Sequence, residues 1–310
     1  MKILFMGSPD FAVGSLESLL HAGYEICGVV TQPDKPKGRG YTMVPTAVKI
    51  CALSHGLTVY TPQTLKDGAF LPVLEELSPD CIVVVAYGKI LPETVLSYPK
   101  YGCVNIHASL LPKYRGAAPI HFALINGEKI TGVTTMLMDK GIDTGDILLK
   151  AETAITASDD VERLHDRLAA MGAELIVKTL QGLENGTVHP QKQTGEACYA
   201  PLIDNSVRLL SFTDNADKIV NKIRGLSPAP AAYLNHNGKN IKIFAAEKAD
   251  CPSSAASMKN GNLLSEKELI VKVQDGAVKI LSLAPEGKKR MSGEEFLRGV
   301  QDKKGFGFFS

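Results

Sequence analysis

Short apolar runs alternate with amphipathic ones through the first 186 residues. Residues 2–6 read as a strand, with large apolar side chains in succession from Ile3 to Met6, and residues 11–22 set their apolar positions at helical spacing until Gly23 ends the pattern. Residues 26–31 predict a second strand, Pro45 opens a helix to about His55, residues 57–60 predict a short strand, and 67–77 are amphipathic. The run 80–86, Asp-Cys-Ile-Val-Val-Val-Ala, is the continuous β-branched stretch expected of a strand covered on both faces, and it predicts the centre of a parallel sheet. Residues 91–98 read as helix, 102–107 as strand, and 119–126 as a helix stopped by Gly127. Two further strand-like runs, 131–138 and 146–151, flank a loop at 139–145, and 159–183 predict a long helix. Alternation of this kind implies an α/β fold, a doubly wound and mostly parallel sheet, with ligands beyond the carboxyl ends of its strands.

From Thr187 to about Asn205 the periodicity dissolves into Pro, Gln, Lys, Thr and Gly, as in an interdomain linker. Beyond it lie one predicted helix (214–224) and short strands at 232–234, 239–246, 269–274 and 277–284. A last helix at 292–300 starts on Ser292 with Glu295 three residues later, the pattern of a capping box. Short strands at this spacing predict a small OB-like β-barrel. The expected organisation is a catalytic domain over 1–186, a linker over 187–206 and a second domain over 207–310.

The chain has 310 residues, 45% hydrophobic and 22% charged, the balance of an ordinary globular protein long enough for two domains. Its net charge of +1 hides an asymmetry. Residues 206–310 hold 17 basic and 11 acidic side chains, whereas residues 1–205 hold 17 and 22. A basic C-terminal third suits a polyanionic partner, and equally suits a solvated basic face. The six cysteines are scattered without a C-x-x-C, which argues against a zinc site or a disulfide framework and fits a reducing cytoplasm. The first residues run straight into a strand pattern and no 18 successive apolar residues occur, so neither a signal peptide nor a membrane span is expected. No long apolar helix suggests a dimer, so a monomer is expected.

Candidate chemistry gathers at two points. Asn105 and His107 occupy alternate positions of one predicted strand and share a face, just before Ser109 and the break at Pro112. Alone, His107 reads sooner as a hydrogen-bonded core histidine. The loop 138–146 supplies Asp139, Asp143 and Asp146 among glycines, and one of these carboxylates can orient a histidine for acid–base work. It lacks the regularly spaced oxygen ligands and terminal Glu of a calcium loop. Gly7-Ser8-Pro9-Asp10 lacks the glycine spacing of a dinucleotide fingerprint, and no P-loop motif is present, so Gly7 reads as a tight turn into the first helix.

Asn105-x-His107 leading into Ser109-Leu110-Leu111-Pro112, followed by Asp143-Thr144-Gly145-Asp146, resembles the signature of folate-dependent formyltransferases. Further segments, among them Thr31-Gln32-Pro33-Asp34-Lys35-Pro36, Ala86-Tyr87-Gly88 and Tyr114-Arg115-Gly116-Ala117-Ala118-Pro119, are similar to the branch of that family that acts on methionyl-tRNA. The resemblance implies a Rossmann-like formyltransferase fold, 10-formyltetrahydrofolate as donor, charged initiator methionyl-tRNA as acceptor, and no metal. It assigns catalysis to Asn105, His107 and Asp143. Folate contacts are expected from Tyr87, Gly88 and Ile90 and from Ser109, Leu110, Leu111 and Pro112.

The loop 32–41 carries Lys35, Lys37 and Arg39 and reads by itself as a solvated surface loop; by resemblance it reaches the acceptor end of the tRNA. In the second domain Lys218, Lys222 and Arg224 share a helical side, and Lys288, Lys289 and Arg290 form a basic turn, both suited to backbone phosphates. One departure is plain: where the family commonly has Trp between two prolines, this chain has Ala229. Two other readings compete, a formyltransferase or formyl-folate hydrolase acting on a small amino sugar nucleotide, and a non-catalytic RNA-binding module.

Overall fold

A computed structural model of the chain describes residues 1–37, 42–66, 68–300, 303 and 306–308. The fold opens with β1 (Lys2–Gly7), α1 (Val13–His21) and β2 (Glu25–Val30). A hairpin of β3 (Lys35–Lys37) and β4 (Thr42–Val44) precedes α2 (Ala47–Ser54), β5 (Val59–Tyr60) and α3 (Leu71–Leu77). Next come β6 (Cys81–Val85), α4 (Glu93–Leu96), β7 (Cys103–His107) and α5 (Pro119–Ile125). β8 (Ile130–Leu137), β9 (Ile147–Ala154) and α6 (Val161–Glu184) complete the series.

Seven strands join in the order β5-β2-β1-β6-β7-β8-β9. The first five in that order run parallel, and β8 pairs antiparallel with β7. The order reverses between β1 and β6, so the ligand crevice of a doubly wound sheet opens there, beyond the carboxyl ends. The β-branched run of β6 is buried throughout, as expected for the middle of such a sheet. On one face Leu4, Met6, Val30, Ile82, Val84 and Cys103 pack with Phe70, Leu74 and Val95 in a single apolar cluster.

Two compact units result, and they do not follow sequence order. The first comprises Met1–Gly116, Ile130–Thr153 and His165–Tyr199; the second comprises Ala117–Lys129, Ala154–Leu164 and Ala200–Ser310. In the second unit α7 (Asn205–Arg208) and α8 (Ala216–Arg224) are followed by β10 (Ala232–His236), β11 (Lys239–Ala249), β12 (Ile270–Val273), β13 (Gly276–Pro285), β14 (Met291–Ser292) and α9 (Gly293–Arg298). These strands form an antiparallel half-barrel in the order β10-β11-β13-β12, with β14 also on β13. Ile219 and Ile223 of α8 fill it alongside Leu234, Ile243, Val271, Val278 and Leu283.

Helix α5, far upstream in the chain, packs against α8 of this unit. Gly225 makes the approach possible, since a Cβ there would lie 2.7 Å from Ile125 Cγ1. Ala229 is exposed, so the position where the family commonly has Trp lies outside this core. The capping box at Ser292 forms as expected: its hydroxyl accepts from Glu295 N at 3.1 Å, and Glu295 accepts from Ser292 N at 2.8 Å. Ser292→Ala should lower the stability of the chain by about 1 kcal/mol with little effect on activity, measured by denaturant unfolding. Among the described residues no helix is long and apolar enough to cross a membrane.

Candidate active site

Strand β7 begins in the apolar cluster at Cys103 and ends in polar residues on the same face, Asn105 and His107. Its register sets Asn105 beside Val84 of β6 and His107 opposite Thr134 of β8. The intervening Ile106 faces α6, where Gly172 allows close approach; a Cβ there would lie 3.0 Å from Ile106 Cγ2. Asn105 and His107 therefore point to the opposite face of the sheet, at its carboxyl edge. They are 9% and 6% exposed.

The turn after β7 is tied down by a chain of hydrogen bonds. Thr134 Oγ1 donates to Ser109 O at 2.6 Å and accepts from Leu111 N at 3.2 Å, while Ser109 Oγ donates to Lys113 O at 2.6 Å. Lys150 Nζ donates to Leu111 O at 2.6 Å. The chain then turns through Tyr114, whose φ of 60° aims its carbonyl back at His107. His107 Nε2 donates to that carbonyl at 2.9 Å. Since a carbonyl can only accept, the proton sits on Nε2, and Nδ1 is the nitrogen turned toward Asp143.

Asp143 Oδ2 lies 3.5 Å from His107 Nδ1 and accepts from Gly116 N at 2.8 Å. Of the three carboxylates in its loop it is the one that reaches the histidine. Asp139 accepts from Gly141 N and from the Thr144 hydroxyl, and Asp146 pairs with Lys192. Sequence reasoning looked to Asp143 to orient His107; the shorter orienting bond comes from Tyr114 O, a backbone group with no side-chain signature. A second residue unmarked in the sequence is Gln193, whose Nε2 donates to Asp143 O and Gly145 O, both at 2.8 Å. Asn105 keeps 9% of its surface exposed, so its carboxamide reaches the crevice at the carboxyl edge of the sheet. A carboxamide there offers two donors and an acceptor to a group bound in the crevice.

At the switch point the loops after β1 and β6 meet those after β2 and β5. Gln32 Nε2 donates to Tyr87 O at 2.8 Å, Gln32 N donates to Ser8 Oγ at 3.1 Å, and Lys89 Nζ donates to the carbonyls of Pro62 and Gln63. Gly88, with φ 77°, abuts Gln32; a Cβ there would lie 2.6 Å from Gln32 Nε2. Of the residues expected to touch folate, Tyr87 is 1% exposed, and burial pushes its hydroxyl up to about 12, so only its backbone faces outward. Ser109 and Leu111 are buried, Leu110 and Pro112 are half-buried, and Ile90 is 84% exposed.

The expected tRNA-binding residues divide. Arg39 and the Lys37 side chain lie outside the described residues, and Lys35 Nζ donates to Gln32 Oε1 at 2.7 Å. Along α8, Lys218 pairs with Asp214 and Lys222 donates to Leu209 O. Arg224 donates to Asn221 Oδ1 and to Thr156 O. Burial holds Lys222 and Arg224 below their ordinary values. Lys288 and Lys289 are exposed, while Arg290 stacks over Phe244 at 4.6 Å. Among the described residues Glu17, Cys51 and His55 bring metal-ligating atoms within 4.8 Å of one another; none belongs to the β7 site.

Family models describe the same two-part chain: "Formyl transferase" matches residues 1–180 and "Formyl transferase, C-terminal domain" matches 202–301. A methionyl-tRNA formyltransferase of Caldanaerobacter subterraneus is 50% identical over 302 residues, covering 96% of this chain and 97% of the relative. One from Thermodesulfovibrio yellowstonii is 46% identical over 308 residues, covering 99% of each. Among solved structures, an N-formyltransferase of Helicobacter canadensis in complex with folinic acid and dTDP-3-aminofucose superimposes with a TM-score of 0.66 at 21% identity, covering 90% of this chain and 98% of that one.

Proposed function

Because the chain belongs to the formyl transferase family, we propose that it moves the formyl group of 10-formyltetrahydrofolate to the methionine amino group of charged initiator tRNA, the step that prepares that tRNA to start translation. The observation that carries the chemistry is the Asn105 carboxamide on the same face of β7 as His107, which Asp143 approaches. The choice of acceptor rests on relatives that match almost end to end at 46–50% identity, against 21% for the sugar-modifying neighbour. A folate-type donor follows from the family, and its 10-formyl form is part of the proposal.

The amino nitrogen attacks the formyl carbon, a tetrahedral centre forms, and the bond to the folate nitrogen breaks. One proton leaves the amine and one arrives on the folate nitrogen. A free α-amino group has a reference pKa near 8, so about a tenth of it is already neutral at pH 7 and no strong base is required. The demand falls instead on holding the oxyanion and positioning the partners. Asn105 Nδ2 donates to the formyl oxygen. His107, anchored through Nε2, carries a proton between Nδ1 and Asp143 Oδ2 and from there to the departing folate nitrogen, through a bridging water where the distance requires one. The exposed Ile90 offers a flat ring an apolar surface, and the backbone of 86–90 offers its edge hydrogen-bonding groups.

The division of labour that goes with this reading gives catalysis to residues 1–186 and tRNA backbone contact to 207–310, joined by 187–206. The exposed Lys288 and Lys289 suit phosphate contact better than the α8 cations, which are already engaged within the unit. The reading also takes the enzyme as a monomer of the cytoplasm, where its acceptor is found.

Incubation with 10-formyltetrahydrofolate and charged initiator tRNA should yield formyl-methionyl-tRNA. Uncharged tRNA and amino sugar nucleotides should yield no product; transfer to an amino sugar instead would overturn the assignment. Arg39→Ala should raise KM for charged tRNA by about tenfold, the equivalent of one charge-assisted contact of roughly 1.5 kcal/mol, and leave KM for folate unchanged. Equal losses for both substrates would count against the Arg39 loop as a tRNA contact.

A further inference from the structure

The polar run after residue 186 has the composition of plain linker, yet it is laid along the loops of the site. Gln191 exchanges backbone hydrogen bonds with Ile147 at 2.8 and 2.9 Å. Two residues on, Gln193 uses both ends of its carboxamide. Nε2 donates to Asp143 O and Gly145 O, each at 2.8 Å, and Oε1 accepts from Arg115 Nη2 at 2.7 Å and Nε at 3.2 Å. Farther along, Cys198 O accepts from Arg115 N at 2.9 Å, and Cys198 Sγ accepts from Tyr114 N at 3.2 Å.

These contacts meet the two loops that complete the site. One carries Asp143; the other carries the Tyr114 carbonyl that holds His107 and the Gly116 N–H that holds Asp143 Oδ2. Both Asp143 (φ 52°) and Tyr114 (φ 60°) occupy the left-handed region, which residues other than glycine seldom keep without support from their surroundings. An amide has two donors and one two-lone-pair acceptor, and Gln193 matches all of them: two carbonyls on one loop and a forked guanidinium on the other.

We infer that Gln193 is a positioning residue for formyl transfer, coupling the Asp143 loop to the Arg115 loop so that the Asp143 carboxylate stays against His107. The inference rests on the proposed roles of Asp143 and His107. It predicts that the two halves of the clamp separate by substitution. Gln193→Glu retains an acceptor for Arg115 but has no donors for the two carbonyls, and Gln193→Ala retains neither.

The test uses the full chain with charged initiator tRNA and 10-formyltetrahydrofolate, and reads kcat, KM and thermal stability. In parallel it reads the imidazole nitrogen signals of His107 in 15N-histidine protein, assigned by their absence in His107→Asn. Gln193→Ala and Gln193→Glu should each lower kcat by up to about a hundredfold, the order expected for an ångström-scale misplacement, with KM changed less than about twofold. In both variants the balance of proton between Nδ1 and Nε2 of His107, and its change with pH, should shift.

Wild-type kcat in Gln193→Ala with unaltered His107 signals overturns the inference. So does a kcat loss that tracks a loss of thermal stability while the His107 signals stay as in wild type, because that marks a merely structural role. Should the wild-type chain fail to transfer formyl at all, the functional reading falls, and the His107 signals alone decide the clamp.

Discussion

His107→Ala should lower kcat for formyl transfer by about a hundredfold to a thousandfold while leaving the fold intact. The reaction must hold charge on the formyl oxygen and carry a proton off the amine, and His107 shares a face of β7 with the Asn105 carboxamide at the carboxyl edge of the sheet. Removing one such preorganised group costs on the order of 2.7–4 kcal/mol of transition-state stabilisation. The fold should survive, because β7 is held in register by β6 and β8 along its whole length and its apolar neighbours Val104 and Ile106 are untouched. Asn105→Ala should fall by a similar factor, and Asp143→Asn should follow because it replaces the acceptor that faces Nδ1. Rapid-quench measurement of formyl-methionyl-tRNA under single-turnover conditions isolates the chemical step; near-normal rates in His107→Ala or Asp143→Asn would falsify the assignment.

Gly145→Ala is expected to damage both stability and catalysis. A Cβ at residue 145 would lie 1.7 Å from Leu137 O and 2.8 Å from Leu137 C, atoms of the β8 backbone that no rotamer change can move. Relief requires the loop from Asp139 to Asp146 to swing away, which breaks the 2.8 Å bond from Leu137 N to Asp146 O and the one from Gln193 to Gly145 O. The loss should be about 3 kcal/mol in urea unfolding, at the upper end of overpacking costs. Activity should fall by about a hundredfold even in the fraction that folds, since Asp143 sits two residues away on the displaced segment. A neighbouring substitution, Gly141→Ala, makes the useful contrast. There the clash is with the Thr144 side chain rather than backbone, so the cost should be smaller.

How much of this was legible depended on whether the signal lived in side-chain pattern or in backbone. The alternation of strand and helix, the buried β6 run and the capping box at Ser292 are matters of apolar spacing and short-range chemistry, and the structure has them within a few residues of expectation. Asn105 and His107 were visible because two polar groups on one face of an apolar strand are conspicuous. Nothing comparable marks the Tyr114 carbonyl, because every residue has one; what singles it out is a positive φ, and tyrosine does not advertise that. The hairpin of β3 and β4 hid in a run of Pro, Gly and charge that reads as loop. Residues 187–199 hid for the complementary reason: polar side chains that bond to distant loops show no period at all. The α8 cations were correctly seen as a basic helix, but sequence counts charge and cannot count the carbonyls and carboxylates that already engage it.

The placement of α5 and of residues 154–164 in the second unit bears on how the chain is made. Its path passes from one unit to the other five times. During synthesis α5 must wait for α8, roughly a hundred residues downstream, before its apolar side is covered. A protein divided at residue 186 or 206 would part α5 from its partner, so exchange of C-terminal modules between relatives should succeed only when α5 and residues 154–164 travel with the half-barrel. The smallest exchangeable unit is thus a set of three chain segments, 117–129, 154–164 and 200–310.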